Sequence, residues 1–311
     1  MHINAVIGNP PYNNDMYIPF VEMGHQLATD CSLFITPAKW QAKGGEKNEA
    51  FRQNIVPYMS KIVYYKDSTD IFDIKEYGGI SYYIIKKEIN STKEVKVICI
   101  NDSIATDYET HTEKELKLVN NNIISIIDKC NSNIMMNKSI GYAQSYYVKN
   151  TESGNITRLS NDDIEVMQGD EISGYVRKQD LTHSDRLEKY KCICNIMTGT
   201  LAQIKQDNKT IGIPKIMIVG PNQVPKGSFP VLKYFDNKNE AESFVSYCYT
   251  KLVAFLYNVG ICGSTMTQEF WRFVPDPVSF DHIFTDEELY KKYNLTEEEI
   301  NIIESVIKER K

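Results

Sequence analysis

The sequence lacks a long hydrophobic run and a secretion signal. None of its apolar stretches approaches the about 18 residues that span a bilayer. Residues 1–5 contain no basic region followed by an apolar segment. Hydrophobic residues make up 42% of the 311 residues and charged residues 24%, which is ordinary for a folded soluble protein. We therefore expect a cytoplasmic protein of two domains that does not span a membrane.

Cysteine pairs with the spacing of a metal site are also absent. The seven cysteines are scattered and odd in number, which suits reduced thiols. Cys192 and Cys194 lie near His183, but one intervening residue is not the usual zinc-site spacing, and no second pair follows. The three aspartates within residues 67–73 lack the lysine pattern of a nuclease site. We predict no metal site and no nuclease centre.

Positive charge is not in excess, since the formal net charge is −6. Nucleic-acid affinity depends heavily on neutralisation of phosphates by lysine and arginine, so the global charge argues against nucleic-acid binding. The local field matters more than the total. Residues 39–52 hold four cations against two glutamates, namely Lys39, Lys43, Lys47 and Arg52. A nucleic-acid-binding function therefore stays open.

The first half of the chain alternates between strand and helix patterns. Residues 5–7 predict a buried parallel strand that ends at Gly8, and residues 32–36 predict the next strand. Further β-rich segments occupy residues 61–65, 80–85 and 95–100, with a Gly78-Gly79 turn before the second of them. Between the first two strands an apolar stripe recurs at helical spacing, at Phe20, Met23, Gly24 and Leu27.

The second half has a weaker pattern. An apolar stripe within residues 116–127 predicts a helix that links the two halves. Beyond it, short strand-like pieces such as residues 215–219 indicate only an α+β domain. Near the end, residues 244–255 predict one helix, and two capping boxes predict the starts of two more, at Thr285 with Glu288 and at Thr296 with Glu299.

The motif that carries chemistry is Asn-Pro-Pro-Tyr at residues 9–12, directly after the first strand. The side-chain oxygen of Asn9 and the carbonyl of Pro10 can each accept one hydrogen of an amino group conjugated to an aromatic ring, such as N6 of adenine. Pro11 restricts Pro10 to extended geometry, and Tyr12 offers an aromatic face for a base extruded from a duplex. This pattern predicts methyl transfer without a metal or a covalent intermediate.

The alternative is that the tetrapeptide is only a turn, since Asn and Pro are common turn residues. Its position favours a functional site, because open α/β sheets place their sites at the carboxyl ends of strands.

The stretch VIGNPPYN resembles motif IV of the amino-methyltransferases, in the family of restriction-modification adenine methylases with a fused target-recognition domain. The likeness continues in FITPAKW, in the glycines at 44–45, in FR at 51–52 and in DSTDIFDIKEYGGISYYIIKK at 67–87. In the distal half it includes NEAESFVSYCYTKLVAFL, FVPDP and TDEELYKKYNLTEEEINIIE. It covers nearly the whole chain and is faint from 131 to 210.

The resemblance implies that Asn9, Pro10 and Tyr12 bind and activate the adenine, and that Tyr82 or Tyr83 packs against the flipped base. Adjacent strand residues point to opposite faces, so at most one of these tyrosines can face the pocket. Lys39, Trp40, Lys43 and Arg52 are candidate DNA contacts. A core position for Trp40 and a solvated helix face for Arg52 are equally good interpretations.

The sequence departs from the family in one respect. Its members bind S-adenosylmethionine through a half that precedes the tetrapeptide and carries a Gly-rich turn, whereas eight residues precede Asn9 here and no permuted copy follows. We expect a split enzyme with a second chain, a truncated piece, or a protein that only binds DNA. Missing strands would leave an exposed sheet edge beside residues 5–7, which a partner should cover.

We therefore predict a partial Rossmann-like methyltransferase sheet at 1–115, an α+β target-recognition domain at 116–284 and C-terminal helices at 285–311. The predicted activity is methyl transfer from S-adenosylmethionine to N6 of adenine in double-stranded DNA, within a restriction-modification or phage self-protection system. The alternative is a sequence-specific DNA-binding subunit without catalysis.

Overall fold

The structure is a computed structural model that describes residues 2–41, 45–65, 67–73, 76, 78–90, 94–101, 104–111, 121–141, 157–181, 184–195, 205–206, 209–261 and 265–310. The chain divides into two compact units. Unit 1 comprises Met1–Ile126 with Ile261–Gly263, and unit 2 comprises Ile127–Gly260 with Ser264–Lys311. Lys43, Leu116, Val119 and His183, which figure in our predictions, lie outside the described residues.

Unit 1 is built on a mixed sheet, which within the described residues has six strands in the order β1-β2-β4-β3-β5-β6. They are β1 (Ala5–Gly8), β2 (Cys31–Pro37), β3 (Met59–Tyr65), β4 (Ile80–Lys86), β5 (Glu94–Asn101) and β6 (Ile104–His111). The pairs β1–β2 and β3–β5 are parallel, and the other three are antiparallel. A mixed α/β fold is thus confirmed, and five of these strands lie where the sequence predicts them.

Two helices of unit 1 connect its strands. They are α1 (Tyr17–Leu27), between β1 and β2, and α2 (Glu46–Ile55), between β2 and β3. A core cluster joins α1 and α2 to one side of the sheet, with Tyr17 and Val21 from α1 and Phe51 from α2. Gly24 permits the close approach of α1, because a Cβ there would lie 2.4 Å from Cζ of Phe34.

Strand alternation separates the two faces of this sheet. In β2, Phe34 and Thr36 are buried, and Phe34 stands opposite Tyr83 of β4 in the core cluster. The intervening Leu33 and Ile35 point to the other face and are half-buried. The face that carries Phe34 and Tyr83 is therefore the one covered by α1 and α2.

One prediction of burial is wrong in this region. Among the described strands β1 lies at the edge of the sheet, and Ile7 is 77% exposed. The helix predicted from the apolar stripe is confirmed as α1, which turns Tyr17, Ile18 and Val21 to the sheet and leaves the stripe exposed apart from Gly24. Met16, Phe20, Met23 and Leu27, which we call the apolar side of α1, are between 43% and 54% exposed.

Among the described residues, unit 2 contains two sheets of three strands each and one pair of strands that are two residues long. The first sheet has the order β12-β9-β14, and the second has the order β13-β7-β8. The strands are β7 (Ile164–Gln168), β8 (Glu171–Val176), β9 (Tyr190–Cys194), β10 (Lys205–Gln206), β11 (Lys209–Thr210), β12 (Ile216–Val219), β13 (Gln223–Pro225) and β14 (Val231–Phe235). The strand predicted at 215–219 is confirmed as β12.

The helices of the second half begin at the unit boundary, which α3 crosses. They are α3 (Asn121–Cys130), α4 (Met136–Ser139), α5 (Lys238–Tyr249), α6 (Lys251–Gly260), α7 (Asp286–Lys292) and α8 (Glu297–Val306). None of the described helices is long and apolar enough to cross a membrane. Unit 2 thus contains both strands and helices.

The helix predicted over residues 244–255 is in fact two helices. Thr250 is extended (φ −62°, ψ 146°), and its hydroxyl accepts from the backbone N–H of Val253 at the start of α6. Of the two predicted capping boxes, only that of Thr296 with Glu299 is complete. Thr285 does cap α7, but the Glu288 carboxylate contacts His282 instead of closing a box.

Candidate active site at the Asn9 loop

Three segments of unit 1 meet at one end of the sheet. Because β1 and β2 are parallel, their carboxyl ends share an edge, and antiparallel β4 begins there, with Ile80 opposite Pro37. The backbone N–H of Ala38 donates to the carbonyl of Gly79 at 2.9 Å. The loop that contains the tetrapeptide, the turn after β2 and the approach to β4 therefore form one surface.

The tetrapeptide presents different groups to solvent and to the core. Asn9 is exposed, and Pro10 is buried. Among the described residues, neither the Asn9 carboxamide nor the Pro10 carbonyl has a hydrogen-bond partner. Tyr12 is half-buried, and its hydroxyl oxygen is buried with no hydrogen-bond partner in the described part of the chain. Burial, assisted by the charge of Glu76, raises the pKa of Tyr12, so its hydroxyl stays a donor.

The loop ends in a strained turn. Asn14 and Asp15 both have positive φ, at 52° and 61°. Non-glycine residues adopt this conformation at a cost, and such residues cluster at functional sites. Asp15 is buried and lies 3.7 Å from the ammonium of Lys39.

An aromatic cluster lies beneath the loop. The Trp40 ring packs edge-on against Phe51 and Tyr83, with centroids at 5.3 and 5.8 Å. The Tyr83 hydroxyl shares a hydrogen bond of 3.2 Å with Thr36, and burial raises the pKa of Tyr83. Trp40 and Tyr83 are both fully buried, so they support the loop from within the core.

Tyr82 lies on the opposite face of the sheet. Its ring packs against Tyr65 with centroids 5.9 Å apart. It helps to line a groove of about 300 Å³, together with Leu33, Lys61, Val63, Ile84, Ile98 and Ile100. The structure thus brings Tyr83 to the side of the sheet where Tyr12 lies, as the charge coupling between these two tyrosines also indicates, and keeps Tyr82 away from it.

The candidate DNA contacts have different surroundings. Trp40 is fully buried, so the structure corrects its expected contact with DNA and favours the core alternative. Arg52 is half-buried and donates from Nη1 to the carbonyl of Trp40 at 2.5 Å. Lys39 is mostly buried between carboxylates, with 17% of its side chain exposed. Lys43 is not among the described residues.

Sequence analysis did not identify three residues of this site. Asp15 and Glu76 are the two carboxylates that flank Lys39. Gln41 is 2% exposed, and neither polar atom of its carboxamide has a hydrogen-bond partner within the described residues. Only Asp15 carried a signal, since an acidic residue follows the tetrapeptide closely. Glu76 and Gln41 join the site through chain folding that a local pattern does not encode.

The described residues do not form a cradle that fits S-adenosylmethionine. Gly78 and Gly79 have positive φ and precede a strand, whereas a nucleotide cradle follows one. Gly212 and Gly260 pack against the backbone of Ala254 and Phe270, where a Cβ would clash. No group of three or more His, Cys, Asp or Glu suited to a metal occurs in the described part of the chain.

One family model matches a part of unit 1. Residues 12–72 match the family model of the Eco57I restriction-modification methylase. This segment begins at Tyr12 and extends through α1, β2, α2 and β3. A search of curated proteins found no match. The matched segment therefore includes both helices that cover the sheet, but not Asn9, Pro10 or β4.

Two solved structures share similarity with the chain. One is the type IIG restriction endonuclease BpuSI, with a TM-score of 0.36, 10% identity, and coverage of 94% of this chain and 49% of that one. The other is the type IIL restriction-modification enzyme MmeI in complex with DNA, with a TM-score of 0.40, 9% identity, and coverage of 89% and 45%. The chain spans about half the length of each.

Proposed function

We propose that this chain is the catalytic-loop and target-recognition part of a DNA methyltransferase that modifies N6 of adenine. One observation carries the proposal. Asn-Pro-Pro-Tyr stands at the carboxyl end of β1, and among the described residues its Asn9 carboxamide and Pro10 carbonyl have no hydrogen-bond partner. Two acceptors adjacent in sequence suit an amino group with two hydrogens. The match of residues 12–72 to a restriction-modification methylase supports the same conclusion.

The residues of this chain have defined tasks in that reaction. Asn9 Oδ1 and the Pro10 carbonyl each accept one hydrogen of the adenine N6 group, which directs the nitrogen lone pair outward. Tyr12 stacks on the extruded base, and its hydroxyl remains available as a donor. Tyr83 supports this arrangement from the core, because it lies below the loop and is fully buried.

The methyl donor in this proposal is S-adenosylmethionine, held by a second polypeptide or segment. The edge of β1 and the apolar side of α1 support this assignment, because both are exposed and lie next to the loop. A strand added in parallel to the edge of β1 would end beside Asn9. Unit 2 is assigned to recognition of double-stranded DNA, within a restriction-modification or phage self-protection system.

The experiment compares Asn9→Ala with the wild-type chain in methylation of mixed duplex DNA, with S-adenosylmethionine and a separately supplied cofactor-binding half. Loss of an acceptor that acts in the transition state should lower kcat by about 100- to 1000-fold. DNA affinity should not change. Asn54→Ala is the matched control, because Asn54 is an exposed asparagine on α2. Undiminished methylation by Asn9→Ala would remove Asn9 from the mechanism.

A further inference from the structure

Lys39 connects the three segments that form the Asn9 surface. Its ammonium lies 3.7 Å from Asp15 Oδ1, in the turn that ends the loop, and 3.5 Å from Glu76 Oε1, in the approach to β4. Lys39 itself belongs to the turn after β2. We propose that Lys39 is a positioning residue that holds the Asn9 loop in its active geometry, and that it is not a contact to DNA phosphate.

Burial makes these ion pairs stronger than pairs on an open surface. The exposed side-chain fractions are 17% for Lys39, 10% for Asp15 and 23% for Glu76. Charges that are partly removed from water are screened less by solvent and salt. The three groups together carry a net charge of −1, which would repel a phosphate. The Lys39 ammonium is therefore already paired with carboxylates of the protein.

The ion pair between Lys39 and Asp15 lies where the backbone is strained. Asn14 and Asp15 both adopt positive φ, three residues or fewer after Tyr12. A strained backbone conformation of this kind persists only when contacts with the surrounding structure hold it in place. The charge of Lys39 favours the conformation that keeps the Asp15 carboxylate buried, and this conformation fixes where Tyr12 and the preceding residues lie.

Backbone hydrogen bonds hold Glu76, the second carboxylate that contacts Lys39. The Glu76 backbone N–H donates to the Ser68 hydroxyl at 2.7 Å, and its carbonyl accepts from Gly79 at 3.1 Å. Gly78 lies beside Lys39, since a Cβ there would be in ordinary contact with Cβ of Lys39 at 3.6 Å. The Glu76 charge also contributes to the raised pKa of Tyr12, which places this carboxylate near the catalytic loop.

The first test measures hydrogen exchange in residues 9–16 of the full chain. We expect Lys39→Met to speed exchange there by about fivefold or more. Lys39→Arg, which keeps the charge, should restore most of the protection. Lys86→Met is the matched control, because Lys86 is an exposed lysine at the opposite end of β4. Unchanged exchange in Lys39→Met would overturn the proposal, and the measurement needs neither DNA nor a cofactor.

The second test separates positioning from phosphate contact through the salt dependence of binding to duplex DNA. A lysine that neutralises one phosphate contributes about 0.9 to the slope of log affinity against log salt. We expect the slope of Lys39→Met to equal that of the wild type. A slope reduced by about 0.9 would overturn the proposal.

The third test rests on the proposed function and measures methylation with the cofactor-binding half supplied. A misplaced catalytic loop should lower kcat of Lys39→Met by about 10- to 100-fold with KM for DNA unchanged, and Lys39→Arg should recover activity. A rise in KM at constant kcat would overturn the positioning role. A wild-type chain that never methylates would contradict the proposed function alone, because the exchange and salt tests still decide the role of Lys39.

Discussion

Buried polar groups without a hydrogen-bond partner are gathered at the loop end of unit 1, whereas the interior of unit 2 also contains well-paired buried groups. At the loop end, the hydroxyls of Tyr12 and Tyr17, the indole nitrogen of Trp40 and the carboxamide of Gln41 have no hydrogen-bond partner within the described residues. In unit 2, Asp276 is paired with Lys233, and the Tyr247 hydroxyl donates to the carbonyl of Pro275, although the indole nitrogen of Trp271 and the hydroxyl of Thr267 also have no hydrogen-bond partner within the described residues. Unsatisfied buried groups are costly, so the four residues that carry them around the Asn9 loop agree with the ligand site that we propose there.

The pairing in unit 2 is the first half of this comparison to test, and it carries the largest expected effect on stability. Burial alone would raise the pKa of Asp276, but hydrogen bonds from Ser139, Lys233 and the backbone N–H of Val278 outweigh it and hold the pKa below its usual value. Asp276→Ala leaves the Lys233 ammonium without its carboxylate. We expect a loss of about 3 kcal/mol in the free energy of unfolding of unit 2.

The same carboxylate gives a pH dependence of known sign. Because its folded pKa is lowered, its contribution is fully present above the unfolded value of about 3.9 and disappears as the pH falls through the folded pKa. Denaturant unfolding at pH 7 and below pH 4 should therefore show a smaller acid destabilisation in Asp276→Ala than in the wild type. Equal acid sensitivity in both proteins would show that the pair contributes nothing.

Lys191 adds a second buried lysine to the comparison, because its ammonium contacts carbonyl oxygens, whereas that of Lys39 lies between two carboxylates. It is fully buried on β9, and its ammonium donates to the carbonyls of Leu187 and Gly220 at 2.9 and 2.8 Å. Burial lowers its pKa to about 7, although the charge of Glu188 opposes the shift. The protein bears the cost of burying this charge at neutral pH.

The sign of the resulting pH effect follows from proton binding. Between pH 7 and about 10.4 the unfolded chain binds a proton at this lysine that the folded chain has released. The free energy of unfolding should therefore rise with pH, by about 1.4 kcal/mol per unit for this group. Denaturant titrations at pH 7.5 and 8.5 measure it, with Lys191→Met as the comparison. A rise of the same size in Lys191→Met would assign the effect to other groups.

Local pattern was sufficient for much of unit 1 because its strands and helices are amphipathic over short stretches. The strands around Phe34, Ile62 and Tyr83 lie where β-branched and aromatic residues alternate. Periodicity shows that a face is apolar but not what covers it, and this is why Ile7 was wrongly expected to be buried. The break at Thr250 was missed because a hydroxyl cap interrupts a continuous apolar pattern.

Some residues of the candidate site can likewise be predicted from a local pattern, and others are brought together only by the fold. Asn9, Pro10 and Tyr12 are adjacent in sequence, so their chemistry can be inferred without a fold. The partners of Lys39 come from two other segments, and no local pattern joins Asp15 to Glu76. A lysine after a strand therefore suggested a DNA contact, whereas the fold shows an ammonium between two carboxylates.

The smallest effect concerns the satisfied polar contact beneath the loop. Tyr83→Phe removes the hydrogen bond between Tyr83 and Thr36, which should lower the free energy of unfolding of unit 1 by about 1 kcal/mol. Tyr82→Phe is the matched control on the opposite face, where the Tyr82 ring packs against Tyr65. If Tyr83 supports the loop, Tyr83→Phe should also speed hydrogen exchange in residues 9–16, and Tyr82→Phe should not. The reverse result would place the supporting tyrosine on the other face. It would contradict the support of the Asn9 loop by the aromatic core beneath it.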